Sequence, residues 1–234
     1  MDLLPQPPEN GQTLSTAIAA TLRTAIANGE LAPGSKLRLD ELRMMFGVSL
    51  SPLREALSRL SAEGFVVMED QRGYRVAPIS RKNLEEVTKL RAMAETFALR
   101  ESIHNGDDEW EGGVVASLYR INKLEKVEVA DDKQAWEVAH RDLHYRLISA
   151  CRMPLLLAFT ATLHDLNDRY RRLFLVGRPI DKTVRREHSD ICNAALERNA
   201  DLACQLMREH IERTGANIRK ALLKKNDLPL KRAA

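Results

Sequence analysis

Two short runs rich in β-branched and aromatic residues, at 65–68 and 74–76, follow three short stretches with helical periodicity. The residues between the two runs are polar and end in glycine, as expected for the turn of a β-hairpin. The helical patterns lie at 14–28, 39–46 and 51–63, and each is followed by a glycine. Three helices and then a hairpin is the order of a winged helix-turn-helix. We therefore predict that fold for residues 13–78.

The third helical pattern is the one that a helix-turn-helix places in the major groove of DNA. It is predicted to begin at Ser51-Pro52, with Ser51 as the N-cap and the proline in the first turn. Ser49 and Ser51 suit phosphate contacts, and Arg54 suits two hydrogen bonds to the edge of a guanine. The structural alternative for Arg54 is a surface ion pair with an acid such as Asp40.

Beyond Ser80 the chain shows only helical patterns. The first contains an apolar stripe of Leu84, Val87, Leu90, Ala94 and Phe97, and further patterns cover 107–126, 131–151, 154–175, 180–198 and 200–224. We predict a mainly α protein, in which the winged helix-turn-helix is followed by an all-helical bundle over residues 79–224. Residues 1–12 and 225–234 are predicted to be a flexible leader and a flexible tail.

Composition sets outer limits on the function. The 234 residues carry a net charge of only +3, and the first 78 hold eight basic against nine acidic side chains, so bulk charge does not argue for DNA binding. The chain lacks the roughly 20 consecutive apolar residues of a membrane span, and its start does not resemble a secretion signal. We expect a cytoplasmic protein in which Cys151, Cys192 and Cys204 are reduced and buried.

The N-terminal motifs resemble a known family of regulators. PGSKL, FGVSLSPLREALSRLSAEGFV and QRGYRVAPIS are similar to the DNA-binding domain of the GntR family, over residues 12–80. The resemblance implies that Arg72 and Gly73 form the tip of the wing, and we add Arg38 as a further candidate DNA contact. Leu50 departs from the family, because many members have an arginine there. The resemblance thus implies that one common DNA contact is missing.

Four of the six histidines have a spacing that suits a metal site. His140 and His144 lie four residues apart, so a helix places them on one face. His188 and His210 lie on two later helical stretches that can pack as an antiparallel pair. Imidazole clusters bind zinc, nickel or similar divalent ions. The alternative is that each histidine is an ordinary surface or core residue.

The helical part resembles the effector domain of the FadR subfamily, called the FCD domain, over residues 82–224. The family's metal pattern is an acid, a histidine four residues later, and two more histidines on later helices. The resemblance places His144, His188 and His210 on the three histidines, while His140 stands where most members have aspartate. It further implies that residues 79–224 form a ligand-binding and dimerisation domain, and that the homodimer binds a near-palindromic operator and responds to a small organic acid.

The effector is expected to be a carboxylate, because a metal with open positions and a nearby guanidinium both bind carboxylate oxygens. Arg91 is the candidate clamp, with Glu95 one turn later to hold it; an ordinary surface pair is the alternative. Arg171, in the cluster Arg169–Arg172, is a weaker candidate, and a solvated basic face would also explain that cluster. GDDEWE, W-x3-H-x3-H and RYR resemble the branch with a glutarate-sensing repressor of carbon-starvation genes, which implies a short dicarboxylate.

Two other classes of protein compete with a regulator. His140-Arg141-Asp142-Leu143-His144 superficially resembles the HExxH helix of zinc proteases, but Arg141 occupies the position of the general base. A purely structural helical protein would leave the winged helix without a role. We therefore predict a DNA-binding regulator, by resemblance a repressor, and not an enzyme.

Overall fold

A computed structural model describes residues 13–69, 72–126, 133–175 and 182–226. The predicted leader, most of the predicted tail and the hairpin residues Asp70 and Gln71 lie outside this part. The elements are α1 (Leu14–Asn28), β1 (Lys36–Leu37), α2 (Leu39–Phe46), α3 (Leu50–Ala62), β2 (Val66–Glu69), β3 (Gly73–Val76), α4 (Arg81–Asn105), α5 (Asp108–Lys126), α6 (Lys133–Ile148), a 3-10 turn (Ser149–Cys151), α7 (Pro154–Leu175), α8 (Lys182–Leu196) and α9 (Ala200–Asn226). The predicted fold class, mainly α with a winged helix-turn-helix first, is confirmed.

The described chain divides into two compact units. The N-terminal unit runs to Leu84 and also contains Asp165–Phe174, the second half of α7. The helical unit contains Glu85–His164 and the chain from Leu175 onward. Nothing in the sequence pattern of α7 indicated that its second half groups with the N-terminal unit.

The N-terminal unit packs three helices on a small antiparallel sheet of strand order β1-β3-β2. Its core is formed by the apolar faces of α1 and α3, where Ile18, Leu22, Leu53 and Leu57 are fully buried. The first strand, β1, was not predicted from the sequence. It has only two residues, Lys36 and Leu37, which is too short to show an alternating pattern.

The start of α3 differs from the prediction by two residues. The N-cap is Ser49 rather than Ser51, and the helix begins at Leu50. Pro52 therefore stands at the third helical position, where its missing N–H leaves no intrahelical bond unmade. Gly47 ends α2 with φ of 62°, a left-handed conformation that favours glycine. This short turn sets the direction in which α3 leaves α2.

The second half of α7 packs its polar side chains inside the N-terminal unit. Arg169 is buried and donates from its two terminal nitrogens to the carbonyl oxygens of Ala77 and Pro78, at 3.2 and 3.3 Å. The Tyr170 hydroxyl lies 2.8 Å from Oδ1 of Asn83. A solvated basic face, the alternative considered for this cluster, is therefore wrong for Arg169.

The helical unit has its own core, formed by the inward faces of α4 to α9, with Leu99, Val114, Ile121, Leu143 and Met207 fully buried. The three cysteines are free and buried, as predicted. Phe97 corrects the predicted stripe of α4, because half of its surface is exposed. With about 3.6 residues per turn, the buried face continues through Ala98 instead.

None of the helices in the described ranges combines the length and the apolar character that crossing a membrane requires.

Candidate metal centre and nucleic-acid interface

The structure brings the four predicted histidines together in the helical unit. His140 and His144 lie on α6, one turn apart, while His188 comes from α8 and His210 from α9. One ring nitrogen from each can be chosen so that all four lie within 4.8 Å of one another. All four side chains are buried. Four convergent nitrogen donors in an enclosed place are what a divalent transition metal requires.

Burial also sets the protonation state of the cluster. Burial, with the other histidines as a further cause, holds the pKa of His140 well below its usual value. Burial lowers the pKa of His144 to about 3, against a smaller opposing effect of Glu95. The pKa of His210 is lowered by the same cause. These imidazoles are therefore neutral near pH 7 and have a lone pair to give to a metal.

Two carboxylates fix the orientation of two of these rings. Glu95 Oε2 lies 3.1 Å from Nδ1 of His144, and Glu187 Oε2 lies 2.7 Å from Nδ1 of His210. If each Nδ1 donates to its carboxylate, Nε2 is left as the lone-pair nitrogen. The His144 Nε2 is buried and accepts no hydrogen bond within the described chain. A carboxylate behind a histidine is the usual second partner of a metal ligand, so the residues present fit a metal ion.

Glu95 is the centre of a buried ionic network. Its Oε1 accepts a 2.7 Å hydrogen bond from Nε of Arg91, and its Oε2 lies 3.2 Å from Nε2 of His164. Burial alone would raise the pKa of Glu95, but Arg91 and His164 outweigh it and hold that pKa well below the usual range. The surface pair considered as the alternative for Arg91 and Glu95 is wrong, because both side chains are buried.

His164 and Glu187 were not among the residues singled out from the sequence. His164 is a lone histidine on α7, and no spacing connects it to the others. Glu187 precedes His188 directly, but its carboxylate contacts His210 instead. Glu95, His144 and His164 also form a group that could hold a metal. The guanidinium of Arg91, 2.7 Å from Glu95, repels a cation there, so Glu95 acts as a support for His144.

The third predicted effector residue, Arg171, belongs to the N-terminal unit, whereas Arg91 and Glu95 belong to the helical unit. Arg171 is buried, and its Nε lies 3.6 Å from Oδ1 of Asp168 one turn earlier on α7. The structure thus brings Arg91 and Glu95 together in the helical unit, and Arg171 pairs with Asp168 in the N-terminal unit.

The predicted DNA contacts lie in the N-terminal unit, and most of them are exposed. Ser49, Ser51 and Arg54 are exposed at the beginning of α3, as is Leu50. No ion pair between Arg54 and Asp40 is found within the described residues, so the surface pair considered for Arg54 gains no support.

The other three candidates lie outside α3. Arg38 precedes α2, is two-thirds exposed, and donates to Glu41 at 3.1 Å. Arg72 is exposed beside the hairpin tip, and Gly73 has φ of 86° with open space where a side chain would be. A backbone without a side chain at that place allows another molecule to approach closely.

The protease-like reading of α6 fails on geometry as well. Asp142 accepts hydrogen bonds from Arg120 at 2.7 Å and from Arg146 at 3.3 Å. It is therefore engaged in ion pairs. The carboxylate that contacts His144 is that of Glu95, which also accepts a hydrogen bond from Arg91.

Comparison with known proteins gives a consistent result along the chain. The model of the bacterial regulatory proteins of the gntR family matches residues 14–76, and the FCD domain model matches residues 86–213. The transcriptional regulator BphR of Paraburkholderia xenovorans is 37% identical over 90% of this chain and 87% of its own. The transcriptional repressor GlaR of Escherichia coli is 32% identical, over 81% and 89%. Among solved structures, McbR/YncC of Escherichia coli shares the fold, with a TM-score of 0.75 at 17% identity over 89% and 98% of the chains. The matched domains and relatives are those of transcription regulators, not enzymes.

Proposed function

The chain belongs to the GntR family of bacterial DNA-binding transcription regulators and contains the FCD domain, and from this premise we propose that it is a repressor released from its operator by a small carboxylate. The carboxylate binds at a metal ion held by His140, His144, His188 and His210. The repressor role is supported by GlaR, which is named a repressor and is 32% identical.

The observation that carries the proposal is the convergence of the four buried histidines, whose ligand nitrogens lie within 4.8 Å of one another. Neutral imidazoles suit zinc or nickel. A divalent ion held there would supply a positive charge with open positions for a carboxylate oxygen. Four histidines add no negative charge of their own, unlike a set that contains an aspartate, so the attraction for an anion is stronger.

Arg91 provides the second contact for the effector. Its Nε already donates to Glu95 and its Nη2 lies 3.5 Å from His164, but a guanidinium has further N–H donors to offer a carboxylate. Its burial strengthens that interaction, because little water competes for the donors. A short dicarboxylate, with one carboxylate on the metal and the other on Arg91, fits this pair of groups.

The operator is bound by the beginning of α3 and by the wing. Arg54 donates to a guanine edge, while Ser49, Ser51 and Arg38 contact phosphates. Arg72 and Gly73 approach the groove or backbone beside the site. Two copies of the chain bind the two halves of a near-palindromic operator, as the symmetry of a homodimer requires.

A thermal-shift screen of zinc- or nickel-loaded protein against short mono- and dicarboxylates tests the sensing role. A ligand that binds the folded state raises the unfolding midpoint by mass action. We expect dicarboxylates such as glutarate to raise it, and a chelator to abolish the shift. The matched variants are the double replacement of His188 and His210 by alanine, and His104→Ala, which removes an exposed histidine outside the cluster.

The double variant should lose the shift and the His104→Ala variant should keep it. Metal content measured by mass spectrometry accompanies each variant. A carboxylate shift of normal size in a double variant that contains no metal would refute the metal-anchored sensor.

A further inference from the structure

Helix α5 carries an exposed stripe that no part of the described chain covers. Six of its residues are exposed and follow one another along a single helical face: Asp108, Gly112, Val115, Ala116, Tyr119 and Lys123. Val115 and Tyr119 are the large apolar members, with 52% and 67% of their surface exposed. Large apolar side chains side by side on a surface helix are typical of a contact with another protein.

The stripe has the same spacing in both directions. Its residues follow at intervals of four, three, one, three and four, so the midpoint lies between Val115 and Ala116. A second copy of α5 that runs antiparallel across this midpoint therefore presents the same pattern to the first. In this pairing Asp108 faces Lys123, Gly112 faces Tyr119, and Val115 faces Ala116 of the other copy.

Charge and size are both complementary in that arrangement. An acidic residue at one end meets a basic residue at the other, twice per pair of helices. Gly112 has no atom within 4 Å of the position that a Cβ would occupy. A tyrosine ring from the other copy therefore has room to lie over Gly112, and the small Ala116 lets the two helices approach closely.

We propose that the α5 stripe is the face through which two copies of this chain pair. The inference takes the homodimer from the proposed function and adds the surface that forms it. A two-fold interface uses the same patch on both partners, and the α5 stripe has the self-complementarity that this symmetry demands.

The exposed face of α4 is a useful contrast. It also carries two large apolar residues one turn apart, Met93 and Phe97. An antiparallel copy centred between them would set Met93 of one chain against Phe97 of the other, two large side chains with no small residue to receive them, unlike Gly112 and Ala116 in the α5 stripe. Phe97→Asp is therefore the matched control for Tyr119→Asp, since both place a charge at an exposed aromatic position.

The first test is a charge exchange followed by sedimentation equilibrium of the full chain. Asp108→Lys and Lys123→Asp should each raise the dimer dissociation constant about tenfold, because two attractive pairs become repulsive. The double variant should return to within about threefold of the original, because the pairs are restored with opposite polarity. Failure of the double variant to recover, when both single variants are weakened and folded, would overturn the pairing.

The second test uses bulk in place of charge. Gly112→Gln fills the space predicted for Tyr119; its Cβ has no atom within 4 Å in the described chain, and glutamine has the better helix propensity. The variant should dissociate into monomers of 26.4 kDa while its helix content is retained. Tyr119→Asp should do the same, and Phe97→Asp should stay dimeric.

The outcomes separate this inference from the proposed function. If the original chain is monomeric at every concentration and on operator DNA, the homodimer of the proposed function fails and the α5 pairing with it. If the original chain is dimeric and the Gly112→Gln and Tyr119→Asp variants stay dimeric, the α5 assignment alone is overturned.

Discussion

The N-terminal unit and the helical unit use polar side chains in opposite ways. In the N-terminal unit the candidate DNA contacts at the beginning of α3 stand on an apolar core and are exposed. In the helical unit the candidate sensing residues are themselves buried, and Arg91 and His144 both rely on the buried carboxylate of Glu95. DNA contacts can therefore change without effect on the fold, whereas the sensing site and the stability of its unit change together.

The largest effect is expected at Glu95, whose side chain is completely buried. Glu95→Ala leaves Arg91 buried without its carboxylate, and removing one member of a buried ion pair costs about 3 to 5 kcal/mol of folding free energy. Urea unfolding of the variant measures this loss, with the exposed Glu86→Ala on the same helix as the control. A loss below about 1 kcal/mol would show that the network does not support the fold.

Acid should destabilise the metal-free protein through the buried histidines. Their folded-state pKa values, for example about 3 for His144, lie below the value near 6.5 of the unfolded chain. As the pH falls below about 6.5, the unfolded chain binds protons that the folded chain does not, so stability falls with pH. We expect a loss of about 1 to 2 kcal/mol per histidine between about pH 7 and 5.

Unfolding free energies measured over this pH range, in the original chain and in His140→Asn, check that expectation. The unfolding free energy of the variant should depend less steeply on pH, because its unfolded chain takes up about one proton fewer. His104→Ala, which removes an exposed histidine outside the cluster, is the control. Equal slopes in the original chain and in His140→Asn would contradict the assignment.

On the exposed side of the comparison, Arg54→Ala should weaken specific operator binding by about 1 to 3 kcal/mol if the arginine holds a guanine. The melting temperature should stay unchanged, because Arg54 is exposed. Fluorescence anisotropy with operator and with unrelated DNA measures the effect, and Arg186→Ala, on α8 of the helical unit, serves as the control for loss of a positive charge. Unchanged operator affinity would exclude Arg54.

The effect expected at Glu187, which is only partly buried, falls on metal affinity rather than on folding or operator binding. Glu187→Ala removes the carboxylate behind His210 and should weaken metal binding about 10- to 100-fold. Competition with a chelator measures the dissociation constant, and Glu209→Ala on the same helix as His210 is the control. Metal affinity within twofold of the original would show that Glu187 has no part in orienting His210.

The sequence indicated much of this arrangement because helical periodicity and histidine spacing are local signals. The limits of α1 and α2 and the convergence of His140, His144, His188 and His210 agree with the prediction. The features that the sequence did not predict depend on contacts between distant segments of the chain. His164 has no spacing that connects it to Glu95, and Glu187 supports a histidine 23 positions later.

Errors of detail also had physical causes. The cap of α3 moved to Ser49, because Ser49 and Ser51 are both good N-caps and the proline is tolerated anywhere in the first turn. Phe97 was placed in the core by its hydrophobicity, although the face that packs inward passes through Arg91, Glu95 and Ala98. A buried ion pair on an apolar face misleads any reading that assigns charged residues to the surface.

The most direct test of the central claim is operator release measured by anisotropy during a titration with glutarate, with zinc-loaded protein, with chelator-treated protein, and with the double replacement of His188 and His210 by alanine. We predict release from the zinc-loaded protein alone, while all three samples bind the operator before the effector is added. Release from the chelated protein and from the double variant that equals release from the zinc-loaded protein would contradict a metal-anchored sensor.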